Sequence, residues 1–269
     1  MQHGDSGTSV VVGVDGSPSS VHAAEWAIDE AVSRDVPLRL IHVIQSTSAD
    51  VGREREEGEL ALQAAHSAIT RHGRKVKVET EIMRGHVAAT LVAESVGAAM
   101  ICLGSAGSDL EAAKFAGTTA TAVARAALTS VAIVRRRNDT EQPPDGNVAI
   151  VVDDPMDLAT VVDAGLAEAA LRHAGLVVLN LTSARLRELA PEDVDRRLAE
   201  ALGRHPELSV RILMAPDDVA TVLATPDEPV QLTVVGNAGG LAAEGLVGPY
   251  GRFVLRGTEC SVLLVHRHA

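Results

Sequence analysis

Aromatic residues are almost absent from this chain of 269 residues, where they make up 1% of the composition. Apolar residues of all kinds nevertheless reach 46%, so a packed core can form from valine, leucine, isoleucine and alanine. Such a core favours helices packed on a sheet of β-branched residues over an aromatic-rich sandwich.

Cysteines and positive charge are also scarce. Cys102 and Cys260 have no CxxC or Cys/His ligand spacing around them, so no zinc site is predicted. The formal net charge of −12 disfavours binding to nucleic acid or to an acidic membrane surface, but a small anion could still be held by backbone N–H groups. No apolar run approaches the roughly 18 residues of a membrane span. The N-terminus lacks a signal-like segment, so we expect a cytoplasmic protein.

Short apolar runs alternate with helical patterns through the first half of the chain. Ser17 and Pro18 are typical of a helix start, as N-cap and first helical residue. The charged run 53–59 is typical of a solvated helix face. This alternation predicts an α/β fold, a doubly wound parallel sheet in the order 3-2-1-4-5 with helices on both faces. The predicted strands cover residues 9–15, 37–44, 75–83, 98–104 and 130–134.

The pattern then begins again after a polar stretch with adjacent prolines, which is typical of a linker. Asp15 corresponds to Asp153, and Gly104 corresponds to Gly236. The sequence therefore predicts two similar tandem domains, at 1–137 and 147–269, joined by a linker at 138–146. The last strand of each copy, 130–134 and 261–265, is expected at a sheet edge, where it could pair or pack across an interface.

A glycine-rich stretch follows the fourth predicted strand, and Asp15 follows the first. Taken one at a time, such glycines are often only turns, and such threonines only helix caps. In combination they would line one crevice at the carboxyl ends of neighbouring strands, with a helix start suited to phosphate. The stretch contains Gly104, Gly107 and Gly117, followed by Thr118 and Thr119.

This motif, together with VVGVDGSPSS at 11–20 and PLRLIHVI at 37–44, resembles the universal stress protein family. The resemblance implies that the first domain binds ATP or a related adenine nucleotide, AMP or cyclic AMP. It places Asp15 and Val43 beside adenine and ribose, with Gly13 allowing close approach. It implies that Gly104, Gly107, Gly117, Thr118 and Thr119 hold the ribose and phosphates. It further implies a role in stress or dormancy and a homodimer.

Two departures from the family pattern bear on these expectations. Asp109 and Glu111 follow the second glycine, and a bridging Mg²⁺ would offset their repulsion of phosphate. In the second copy the glycine spacing is one residue shorter, and Pro249 and Tyr250 replace the two threonines. We therefore expect one nucleotide per chain, in the first domain.

No hydrolase or P-loop motif is found, so no catalytic residue is predicted, although slow ATP hydrolysis stays open. His42 could touch a ligand, but a structural role is the commoner one for such a histidine. The alternative function is that of a dimerising interaction module that has lost nucleotide binding.

Overall fold

A computed structural model describes most of the chain. The described residues are 8–45, 50–105, 113–135, 146–152, 157–181, 196, 199–200, 203–206, 208–215, 229–236 and 260–266. The chain divides into two compact units, Met1–Arg136 and Arg137–Ala269. Most of the predicted linker lies outside the described residues, so its bounds remain a prediction.

The first unit is a five-stranded sheet in which every pairing is parallel. The strands stand in the order β3-β2-β1-β4-β5, which confirms the predicted arrangement. Its elements are β1 (Val10–Gly13), α1 (Pro18–Ser33), β2 (Leu38–Gln45), α2 (Val51–Arg71), β3 (Val78–Gly85), α3 (Val87–Glu94), β4 (Met100–Gly104), α4 (Ala113–Ala126) and β5 (Val131–Val134).

The strand order also determines where the helices lie. From β1 the chain moves outward to β2 and β3, then returns past β1 to β4 and β5. Right-handed crossovers in these two opposite directions place α1 and α2 on one face and α3 and α4 on the other. The contacts agree, because α1 packs against α2 and α3 packs against α4.

The second unit has the same strand order, counted from its own first strand. Its described elements are β6 (Asn147–Val152), α5 (Leu158–Leu171), β7 (Leu176–Leu181), β8 (Val210–Ala215), β9 (Val230–Gly236) and β10 (Ser261–Val265). They stand in the order β8-β7-β6-β9-β10, with parallel pairings throughout. The last strands, β5 and β10, therefore lie at the ends of their own units' sheets, as expected.

One buried ion pair occurs at corresponding places in the two units. Glu30 is completely buried in α1, and its carboxylate accepts a hydrogen bond from Arg34 at 2.6 Å. Glu168 in α5 is likewise buried and binds Arg172. Both pairs join residues four apart, where helix side chains meet.

The core of both units is aliphatic, as the composition predicts. The largest side chains that are fully buried among the described residues are all isoleucine, leucine or methionine. In the same residues, no helix is long and apolar enough to cross a membrane.

Candidate functional site

The crevice predicted to bind a ligand lies beyond the carboxyl ends of β1 and β4. These two strands are direct neighbours, and Gly13 pairs with Leu103. The chain leaves β1 for α1 on one face of the sheet and leaves β4 for α4 on the other. Strand order reverses at this point, which is where open α/β sheets bind their ligands.

Asp15 lies in the turn between β1 and α1, where its carboxylate is held by Ser17. The Ser17 N–H and Oγ donate to Asp15 Oδ1 at 2.9 and 2.6 Å. Ser17 is also the N-cap of α1, since its Oγ accepts from the Ser20 N–H at 3.2 Å. Gly16 between them has a φ of +84°, a conformation that favours glycine. The sequence Asp-Gly-Ser-Pro thus fixes an exposed carboxylate at the end of β1.

Two opposing effects act on the pKa of the Asp15 carboxyl. Partial burial raises the pKa of its carboxyl, but hydrogen bonds from Ser17 and Ser20 and from backbone N–H groups outweigh that effect. The resulting pKa lies below the ordinary value for aspartate. Asp15 is therefore an anion at neutral pH and can accept hydrogen bonds from a ligand's hydroxyl groups.

Gly104 has a packing role that the sequence did not reveal. A Cβ at this position would lie 2.5 Å from the carbonyl carbon and oxygen of Ser19 and 2.8 Å from Ser20 N. The end of β4 therefore approaches the backbone of the first turn of α1 too closely for any other residue. Gly13 is also packed, since its Cβ would lie 2.7 Å from Leu103 Cδ2.

His42 joins the ends of β1 and β2. Its Nδ1 lies 2.8 Å from the Val14 carbonyl oxygen, so this nitrogen carries the proton and donates the hydrogen bond. The ring packs on Gly58 of α2, where a Cβ would lie 2.5 Å from His42 Cδ2. The structural role for His42 is supported. Gly58 was missed, although a glycine inside a charged helical run was a signal for it.

The structure brings together part of the predicted site. Gly13 pairs with Ile41, and Asp15 and Val43 each lie two residues further along their chains. Gly13, Asp15, Val43 and Gly104 thus meet at one end of the sheet. Gly107, Asp109 and Glu111 lie outside the described residues.

The helix that follows β4 begins earlier than predicted. We expected Gly117 and Thr118 to open it, but α4 starts at Ala113. The stretch from Ala113 to Ala116 consists mainly of good helix formers, and one internal glycine costs only about 1 kcal/mol. Unpaired N–H groups belong to the first turn of a helix, so those of Gly117, Thr118 and Thr119 lie too far along it. The expectation of a helix start at these residues was wrong, and their binding role stays a prediction.

The second unit differs at the place that corresponds to this crevice. Gly236 ends β9 as Gly104 ends β4, but a Cβ there would lie 2.2 Å from Asp157 Oδ2. Asp157, which is buried, stands where the first unit has Ser19. Asp153, Asp154, Gly239, Gly248, Pro249 and Tyr250 lie outside the described residues. No cluster of three or more metal-binding side chains occurs among the residues described in either unit.

Comparisons with known proteins agree with this architecture. A profile of the universal stress protein family matches residues 8–135. Universal stress protein Rv2624c of Mycobacterium tuberculosis is 39% identical over 264 residues, covering 96% of each chain. Rv2028c of the same organism is 31% identical, covering 96% of this chain and 95% of its own.

Solved structures show the same fold. A universal stress protein from Archaeoglobus fulgidus superposes with a TM-score of 0.70, at 16% identity and 96% coverage of both chains. A putative universal stress protein from Pseudomonas aeruginosa gives 0.62, at 19% identity and covering 97% and 94%. The chain therefore belongs to the universal stress protein family.

Proposed function

We propose that the first unit binds an adenine nucleotide, with ATP as the main ligand, in the crevice beyond β1 and β4. The observation that carries this proposal is the Asp15 carboxylate. It is charged, it is held in place by Ser17, and it lies where strand order reverses. A fixed acceptor at this place suits the ribose hydroxyls of a nucleotide.

Six of the eight predicted residues have a role in this proposal, and Gly13 and Gly104 form the ends of the strands beside them. Asp15 binds the ribose, and Val43, two residues beyond the partner of Gly13 on β2, flanks the adenine. Gly107 and Gly117 belong to the phosphate side, together with the hydroxyls of Thr118 and Thr119. A bridging Mg²⁺ would reduce the repulsion between the phosphates and the acidic residues after Gly107.

The protein would then work by binding rather than by chemistry. No catalytic group is assigned, and nucleotide occupancy would report the state of the cell in a stress or dormancy response. We also propose that the chain acts as a homodimer in the cytoplasm. The second unit would contribute structure or contacts without a nucleotide of its own.

One observation favours the alternative, an interaction module without a nucleotide. Packing within the first unit requires Gly104, whose Cβ would meet the backbone of α1, and favours Gly13, whose Cβ would meet the Leu103 side chain. Their presence therefore does not depend on a ligand that approaches the backbone.

Calorimetric titration with ATP, AMP and cyclic AMP tests the proposal. We expect one nucleotide per chain for the wild type. Asp15→Asn keeps an oxygen that can accept from Ser17 but removes the charge. Losing a charge-assisted hydrogen bond costs about 1.5–3 kcal/mol, so affinity should fall roughly 10- to 100-fold. Glu59→Gln, at an exposed carboxylate of α2, is the matched control and should bind normally.

The outcomes of this titration distinguish nucleotide binding by the first unit from the interaction-module alternative. No binding of any adenine nucleotide would favour the interaction module. A stoichiometry of two would contradict the assignment of the second unit as degenerate. Equal loss of affinity in Asp15→Asn and Glu59→Gln would show that Asp15 has no specific role.

A further inference from the structure

The strand β3 lies at one end of the first unit's sheet and pairs with β2 on one side. Among the described residues of this unit, no strand pairs with its other side. Its residues are mainly exposed or half-buried, whereas half of those in β2 are buried. An edge of this kind presents unpaired backbone groups to a further strand.

The direction of those backbone groups follows from one hydrogen bond. The Lys77 carbonyl accepts from the Leu38 N–H at 2.8 Å, so this carbonyl points towards β2. The C=O and N–H of a trans peptide unit point in opposite directions, so the Val78 N–H points to the open edge. Because an extended chain alternates residue by residue, the backbone groups of Thr80 point to this edge as well, and those of Val76, two residues before β3, follow the same alternation.

The charged side chains along this edge stand in a self-complementary order. Glu79 and Glu81 lie in β3, and Lys75 and Lys77 lie just before its first residue, Val78. All four side chains are exposed, whereas Val76 and Val78 between them are half-buried, so the two-residue alternation of the strand continues back to Lys75. An antiparallel copy of the same strand, centred on Val78, would place Lys77 opposite Glu79 and Lys75 opposite Glu81. Lys77, Glu79 and Glu81 have side chains that are 72%, 43% and 49% exposed, so they are accessible to a partner.

We propose that two copies of the chain pair in antiparallel orientation through the start of β3 and the three residues before it, with a two-fold axis at Val78. Val78 then opposes Val78 of the other copy as a hydrogen-bonded pair. Val76 of each copy opposes Thr80 of the other in the same way, which gives two more pairs. The three pairs together supply about six backbone hydrogen bonds. Lys77 and Glu79 fall in the intervening pairs without backbone bonds, in which opposing side chains come closest.

The contacts within one chain are compatible with this pairing. Lys77 binds Glu79 of its own chain at 2.7 Å, and each would keep an opposite charge as its neighbour in the dimer. Glu81 binds Arg39 at 2.7 Å, and Arg39 also binds Glu94 of α3 at 3.0 Å. That network holds β3 against β2 and leaves the strand's open edge unused.

The other strands at the ends of the two units' sheets do not carry exposed charges in a self-complementary order. All residues of β5 and of β10 are buried. The strand β8 carries one charged residue, Arg211, and so has no alternating pattern of opposite charges. Charge complementarity therefore selects β3 and selects a second copy of this chain as its partner. This inference does not depend on nucleotide binding.

Sedimentation equilibrium of the full chain tests the pairing through single charge reversals. Lys77→Glu would place glutamate opposite Glu79 twice in each dimer. Glu79→Lys would place two lysines opposite one another twice. Each reversal changes two cross-strand contacts from attraction to repulsion, so the dimer dissociation constant should rise at least about tenfold. Arg55→Glu on the exposed face of α2 is the control and should leave it unchanged.

The decisive experiment restores opposite charges by mixing the two variants or by combining the two substitutions in one chain. An equimolar mixture of the Lys77→Glu and Glu79→Lys variants should form a heterodimer with the affinity of the wild type. The double variant K77E/E79K should restore the homodimer within one chain. A wild type that is monomeric at its highest soluble concentration would overturn the proposal. Dimers that withstand both single reversals, or that fail to recover in the mixture and in the double variant, would overturn it too.

Discussion

Gly104→Ala would place a methyl group against the backbone of α1. The new Cβ would lie 2.5 Å from two backbone atoms of Ser19, whereas real Cβ contacts are almost never below 3.0 Å. Main-chain atoms cannot rotate away as the end of a side chain can, so α1 or β4 must move. Overpacking typically costs about 1–3 kcal/mol, and we expect the unfolding free energy to fall by about 3 kcal/mol.

Two other glycines calibrate this magnitude. Gly13→Ala meets the flexible end of Leu103 at 2.7 Å and should cost about 1 kcal/mol, since that side chain can adjust. Gly52→Ala lies in the first turn of α2, and its nearest neighbour atom is 3.9 Å away. Alanine has a higher helix propensity than glycine, so Gly52→Ala should be neutral or stabilising by up to about 1 kcal/mol.

The assay is urea denaturation without nucleotide, in which the fluorescence of Trp26 reports unfolding. This is the single tryptophan of the chain, and it lies in α1, the helix that Gly104 contacts. We expect the loss of stability to be largest for Gly104→Ala, smaller for Gly13→Ala and absent for Gly52→Ala. If Gly104→Ala unfolds like the wild type but no longer binds nucleotide, the packing argument is refuted and the glycine serves ligand approach instead.

Two further predictions concern residues near the crevice. Gly58→Ala should destabilise the first unit by about 1–3 kcal/mol, because its Cβ would lie 2.5 Å from the His42 ring. In a His42→Ala background the same change should be neutral or stabilising, and additive effects in this double-mutant cycle would contradict the contact. The lowered pKa of Asp15 implies stability that is complete above about pH 4, the ordinary carboxyl value, and is lost as the pH falls through the lower folded value. Asp15→Asn should therefore flatten the acid limb of the unfolding free energy, measured by urea denaturation from pH 6 downward, and an unchanged limb would count against it.

The order of elements, the strand arrangement of both units and the family could all be predicted from the sequence. These follow from local patterns, because apolar runs alternate with helical ones and Ser17 with Pro18 marks a helix start. The aliphatic core and the charged face of α2 could be predicted for the same reason. Ion pairs between Arg53 and Glu57 and between Arg55 and Glu59 lie on that face.

The need for glycine at particular positions could be seen only in the folded chain. Gly104 and Gly58 face atoms of elements distant in sequence, and no local pattern states which atoms will approach a position. The start of α4 at Ala113 was also missed, since helix propensity competes with a glycine signal whose cost is only about 1 kcal/mol. The open edge of β3 is a property of the sheet as a whole. The order of its charges is visible in the sequence, but that order indicates a pairing surface only because the strand lies at an edge of the sheet.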